Sequence, residues 1–200
     1  MKTAILPLLA ASALLGACAT PAYVSPVEVT RFTGAAPQQL GQGTISVTAA
    51  PGLDGDSLAF AAYADAVRSE LEAIGYRVVA SDAGQVAAIA LTSTLADPEE
   101  RRSPVGVGVG GSTGTYGSGV GVGVGINLGS LGGPPPERIE RQLFVAIRPA
   151  SGGPNLWEGR ANMTATSNSD YANEQAAAAR MVESLFAGFP GVSGETIEVE

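Results

Sequence analysis

The chain has 200 residues, 45% of them hydrophobic, with 19 acidic side chains against 11 basic ones, a net charge of -8 at neutral pH, and no histidine. This balance disfavours nucleic acid, which selects basic faces, and broad adsorption to anionic lipid. The single lysine and single cysteine are Lys2 and Cys18, so the body beyond them excludes Ser-His-Asp, Cys-His, Ser-Lys, zinc-hydrolase and pyridoxal chemistry, and no disulfide can form within the chain.

The first element is a leader. Lys2 supplies a positive n-region, and Ala4 to Leu15 an apolar run of secretory length, too short to span a bilayer comfortably. Leu15, Gly16, Ala17 and Cys18 then read as a lipobox, the signal-peptidase motif that precedes a lipidated cysteine. Small residues at Gly16 and Ala17 let the chain enter a peptidase cleft. The thiol of Cys18 takes a diacylglycerol and its new amine a further acyl chain such as palmitate, and each buried methylene adds about 0.8 kcal/mol of membrane affinity. Residues 1–17 are therefore expected to be a lipoprotein signal peptide, 18–26 a lipidated, proline-punctuated tether, and 27–200 a single domain.

Alternation predicts strands at Val27 to Phe32 and at Thr44 to Ala49, the second with Ile45 and Val47 on one face. A turn over Pro51 to Asp56 leads into a helix capped by Asp56 or Ser57. Phe60, Ala64, Val67, Leu71 and Ile74 form its apolar stripe, and Gly75 stops it. Tyr76 to Ala80 reads as a strand, Ser81 to Gln85 as a turn, and Ala87 to Leu95 as a strand with Ile89, Leu91 and Leu95 on a common face.

Arg102 and Glu137 bracket 34 uncharged residues, 103–136, holding two Val-Gly alternations joined by Gly114 to Gly119. Period-2 spacing puts the valines on one face and the glycines on the other, the pattern of a Gly-rich low-complexity hairpin or flap. Ile139 to Arg148 and Leu156 to Thr166 predict a long antiparallel hairpin across the turn Pro149 to Pro154. In its second strand Trp157, Ala161, Met163 and Ala165 point one way, and Glu158, Arg160, Asn162 and Thr164 the other. Asp170 opens a second helix to about Phe186, with Ala178, Met181, Val182 and Leu185 on its buried face, and Glu195 to Val199 suits a final short strand. The fold class this order predicts is α+β: an antiparallel or mixed β-sheet with two helices packed on one face, plus the Gly/Val-rich hairpin insertion.

Four constellations invite chemistry, and each has a plainer structural reading. Gly106, Gly108 and Gly111 match a dinucleotide fingerprint, but that motif works only where a strand feeds a helix N-terminus, and Ser112 to Gly117 is not helical in pattern. Asp54 and Asp56 suit a turn and helix cap better than calcium, because further ligands at EF-hand spacing are missing. Glu99, Glu100, Arg101 and Arg102 read as a solvated loop, and Glu158 with Arg160 as a cross-strand ion pair or exposed face. Trp157 and Met163 belong to the core. Tyr116, an aromatic in a glycine loop with no core to join, is the candidate partner contact. No metal site and no catalytic residue are expected, and no acidic pair marks a two-carboxylate hydrolase.

The lipobox, the Phe60 to Ile74 helix followed by Gly75-Tyr76-Arg77-Val78, the strand Leu156-Trp157-Glu158-Gly159-Arg160-Ala161 and the closing Leu185 to Gly191 together resemble bacterial lipoproteins of domain of unknown function 4136. The resemblance implies an envelope lipoprotein with an α/β domain and no assigned activity. By similarity to lipoproteins of Gram-negative envelopes, the non-acidic Ala19 implies export to the outer membrane, and the expected location there is the periplasmic face. The expected function is a non-enzymatic binding or scaffolding module that needs no cofactor beyond the covalent lipid on Cys18. Its expected partners are the membrane and another envelope protein. The alternative is a self-assembling lipoprotein whose Gly/Val strands join into a multi-chain sheet or barrel, for which Val105 to Gly110 alone is short of a spanning strand.

Overall fold

The computed structural model describes residues 20–96 and 135–200, together with the backbone of two strands at 105–114 and 117–126. In chain order the elements are β1 (Val27–Thr33), β2 (Thr44–Ala49), α1 (Leu58–Ala73), β3 (Arg77–Val78), β4 (Gln85–Ala96), β5 (Val105–Gly114), β6 (Gly117–Ile126), β7 (Arg138–Pro149), β8 (Trp157–Thr166), α2 (Glu174–Phe186) and β9 (Thr196–Val199).

Seven strands form one mixed sheet in the order β3-β2-β4-β7-β8-β1-β9. β2 runs parallel to both β3 and β4, and every other pairing in this sheet is antiparallel. The parallel pair β2 and β3 requires a crossover, which α1 supplies. The fold class is therefore the predicted α+β arrangement in its mixed form. β5 and β6 pair antiparallel with each other in a separate two-stranded sheet.

Alternation places Val27, Val29, Ile45, Ile89, Leu143, Val145, Ile147, Trp157, Ala161 and Met163 on the helix side of the sheet, all buried. α1 lays Phe60, Ala64, Val67 and Leu71 on them, and α2 lays Ala178, Met181, Val182 and Leu185. Ser57, the nearer of the two predicted caps, accepts from the Phe60 amide through its hydroxyl (3.2 Å). Gly75 ends α1 at φ +109, where a Cβ would stand 2.7 Å from the Gly41 carbonyl oxygen. The Trp157 ring stacks on Phe186 (5.3 Å between centroids), meets Phe189 (5.2 Å), and donates from Nε1 to the Pro190 carbonyl at 2.9 Å. A Cβ on Gly159 would overlap that ring and the Leu185 methyl, so only glycine fits beneath them.

Two arginines face this apolar side. Arg31 of β1, 6% exposed, donates from Nε to the Leu185 carbonyl and from Nη2 to the Ser184 carbonyl, both at 2.9 Å. It thus satisfies carbonyls left open at the end of α2, where the helix dipole favours a cation. Burial pushes its guanidinium below the ordinary pKa, and the Glu195 charge works the other way. Arg141 of β7, 5% exposed, grips the opposite end. It donates to the carbonyls of Tyr171 and Ala172 at 3.0 Å and pairs with Glu174 at 2.9 Å. The sheet therefore latches α2 at both termini.

Three expectations are corrected. α2 does not begin at Asp170: Asp170–Ala172 is a separate 3₁₀ turn, and Asn173, extended at φ -72 and ψ 130, caps the helix by accepting from the amides of Gln175 and Ala176. β3 spans two residues rather than Tyr76 to Ala80, since only Thr44 and Ile45 of β2 pair with it. Leu95 keeps the parity of Ile89 and Leu91 but is 65% exposed, because β4 runs out beyond the helix layer.

Candidate functional site

The opposite face of the same sheet carries no described helix. Its residues are the alternate partners of the core positions, and the register arranges them in rows. One row reads Thr92, Gln142, Asn162, Glu28, Glu198 across β4, β7, β8, β1 and β9. The row on one side of it holds Thr94, Glu140 and Thr164. On the other side comes Ala90, Phe144, Arg160, Thr30 and Thr196, then Ala88, Ala146, Glu158 and Phe32. The face thus carries amide, hydroxyl and carboxylate groups at one end, and at the other mixes alanine and phenylalanine with Arg160, Glu158 and threonines.

Two cross-strand bonds and one local bond order the polar side chains. Gln142 Nε2 donates to Asn162 Oδ1 at 2.8 Å, the Thr30 and Thr196 hydroxyls share a bond of 2.7 Å, and Asn155 Nδ2 donates to Glu158 Oε1 at 2.6 Å. The Arg160 guanidinium lies over the Phe144 ring, 5.9 Å from its centroid. Phe32 is 52% exposed at the apolar end. Two shallow depressions adjoin along Asn162 to Thr164. One of about 310 Å³ includes Thr92, Thr94, Glu140 and Gln142, and one of about 320 Å³ includes Tyr23, Ser25, Glu28 and Glu198.

This surface presents a broad, shallow array of hydrogen-bonding groups. Glu28 and Glu198 stand opposite each other in register beside the second depression, a carboxylate pair that the sequence did not mark because β1 and β9 lie at opposite ends of the domain. Both are exposed, so the pair lacks the water-excluding surroundings of a closed cleft. Among the described residues no group of three His, Cys, Asp or Glu side chains is placed to hold a metal ion. Asp54 forms the expected turn, its Oδ1 accepting from the Asp56 amide at 3.0 Å, and Ser57 follows as helix cap.

The remaining sequence candidates fall as follows. Trp157 and Met163 are core, 0% and 2% exposed. Glu158 and Arg160 do sit on the outward face, but their partners are Asn155 and the Phe144 ring and not each other. Gly106, Gly108 and Gly111 all lie inside strand β5 instead of at a turn entering a helix, which removes the phosphate-cradling geometry. Leu15, Gly16, Ala17 and Cys18, the loop Glu99 to Arg102, and Tyr116 lie outside the described residues. No helix among the described residues is long and apolar enough to cross a membrane.

The chain belongs to the family Domain of unknown function (DUF4136), whose model matches residues 34–191. No curated protein matches the sequence significantly. Among solved structures it is similar to the PelC dodecamer from Paraburkholderia phytofirmans, at 14% identity over 80% of this chain and 95% of that one, with a TM-score of 0.41. It is also similar to a PDZ domain protein from Parabacteroides distasonis, at 13% identity over 96% of this chain and 42% of that one, with a TM-score of 0.49.

Proposed function

We propose that this DUF4136 member is an outer-membrane lipoprotein, held at the periplasmic face through acylated Cys18, whose domain is a non-enzymatic binding or scaffolding module working through the open sheet face. The observation that carries the reading is that face: a row of Thr92, Gln142, Asn162, Glu28 and Glu198 in register, with exposed Phe32 on the same face and no described helix over it. The lipobox supports the anchor, and the absence of histidine and of any lysine or cysteine beyond Cys18 supports a non-enzymatic role. The covalent lipid is the only added group the reading needs.

Photo-crosslinking amino acids placed at Thr92, Asn162 and Thr30, and at the helix positions Glu70 and Glu183, test it in intact envelopes. Adducts with one envelope protein from the sheet positions alone are expected. Equal adducts from the helix positions, or none from the sheet, would refute it. Cys18→Ser is expected to lose the acyl mass and leave the membrane fraction.

A second reading, self-assembly through the Gly/Val strands, is favoured by one observation. β5 and β6 are each 10 residues long, within the roughly 9–11 residues a spanning strand needs, and a two-stranded sheet leaves both edges unpaired. Native mass spectrometry of the detergent-extracted protein decides it: a monomer at every concentration ends this reading.

A further inference from the structure

The stretch expected to act as tether is partly built into the fold. Val24 bridges to Ala165, the Tyr23 amide donates to Thr166 Oγ1 at 2.8 Å, the Thr166 amide donates to the Tyr23 carbonyl at 2.9 Å, and the Ser25 amide donates to the Thr164 carbonyl at 2.8 Å. Cys18 precedes Tyr23 by five residue steps, which reach at most about 18 Å. Resting on the reading of Cys18 as acylated, this reach brings one particular end of the sheet to the bilayer surface.

That end is the last row, Ala96, Arg138 and Thr166, extended by Tyr23. Three large apolar side chains are exposed toward it: Tyr23 at 49%, Leu95 at 65% and Leu58 at 90%. Leu58 belongs there because it lies beside Asn173 and Glu174, and Arg141, which pairs with Glu174, stands three rows from the end. Both helices therefore turn their N-termini, the positive ends of their dipoles, the same way. The Arg138 guanidinium lies 5.7 Å from the Tyr23 ring centroid, and a tyrosine beside an arginine suits the headgroup layer, where one end of each side chain is apolar and the other wet. Glu137 and Glu140 flank Arg138, so no single sign of charge dominates, and attachment falls to the apolar side chains.

We infer that this end of the domain docks on the phospholipid leaflet carrying the Cys18 acyl chains, with Tyr23, Leu58 and Leu95 entering the headgroup region. The helix-free face then stands along the membrane normal, open to a partner approaching from the side. The opposite end, marked by exposed Val192, points away, since the ten residues of β8 span about 30 Å.

An acylated Cys18 has no free thiol, so a dye can be attached uniquely to Leu58→Cys, Leu95→Cys or Val192→Cys. The full lipidated chain, reconstituted in phosphatidylethanolamine–phosphatidylglycerol vesicles with headgroup-spin-labelled lipid, is expected to show about five-fold stronger quenching at 58 and 95 than at 192, given the ~30 Å between the two ends. Equal quenching at the three positions, or stronger quenching at 192, would overturn the inference. So would dye self-quenching at 58 and 95 without lipid quenching, which would make a second copy the occupant. Intact mass of the same sample separates the two claims: an unacylated chain removes the proposed anchoring and the docking together, whereas an acylated chain quenched alike at both ends removes the docking alone.

Discussion

The helix-covered and open faces of the sheet are made from alternate residues of the same strands, and they are held together by different physics. On the covered side Trp157, Ile147, Leu143 and Ile89 are fully buried, and Arg31 and Arg141 fix both ends of α2. On the open side Thr92, Gln142, Glu28 and Glu198 are exposed, and bonds such as Gln142 to Asn162 compete with water. The first face is paid for by excluded water and specifies the fold. The second is expected to tolerate substitution with little loss of stability, because its bonds exchange with water.

The sharpest way to break that contrast is Trp157→Ala, which empties the space between Phe186, Phe189 and Gly159 and is expected to cost about 3–5 kcal/mol in urea unfolding. Arg31→Leu comes next. It strands the buried carbonyls of Ser184 and Leu185, for an expected loss of about 2 kcal/mol, while Arg31→Lys should fall between it and wild type. Asn173→Ala removes the acceptor for two amides of α2 and should lower stability by about 1 kcal/mol.

A smaller effect separates by pH. Burial, reinforced by the Glu174 charge and opposed by Arg141, raises the Tyr63 hydroxyl well above its ordinary value of 10.0. The folded chain keeps that proton where the unfolded chain loses it, so the contribution is whole below pH 10 and declines as pH rises further. Tyr63→Phe should therefore flatten the alkaline fall in melting temperature while changing little at pH 7. Least of all, Gln142→Ala is expected to shift stability by under ~0.5 kcal/mol yet to diminish crosslinking from Asn162. A large loss of stability there would show that the open face is part of the fold's support.

Much of the covered face was legible in the sequence. The alternation Trp157, Ala161, Met163, Ala165 and the stripe Phe60, Ala64, Val67, Leu71 name buried residues without reference to any partner. Arg31 and Arg141 were missed, although parity alone puts Arg31 after Val27 and Val29 and puts Arg141 before Leu143. An arginine at an inward position is a signal, but its meaning depends on which backbone carbonyls approach it. The candidate face was hardly legible at all. Asn162 was seen to point outward, but its neighbours Glu28 and Gln142 come from strands far apart in the chain.

Periodicity, capping residues and composition by themselves determined the element types, the core stripes, the acidic balance and the poverty of catalytic side chains, because these follow from local geometry and residue chemistry. The insertion of β1 between β8 and β9, the parallel seating of β2 beside β4, the latching of α2 and the docking of Tyr23 on β8 were decided only in three dimensions. Strand neighbours are chosen by the burial and hydrogen bonding of the assembled sheet, a sum over distant residues that no local window contains.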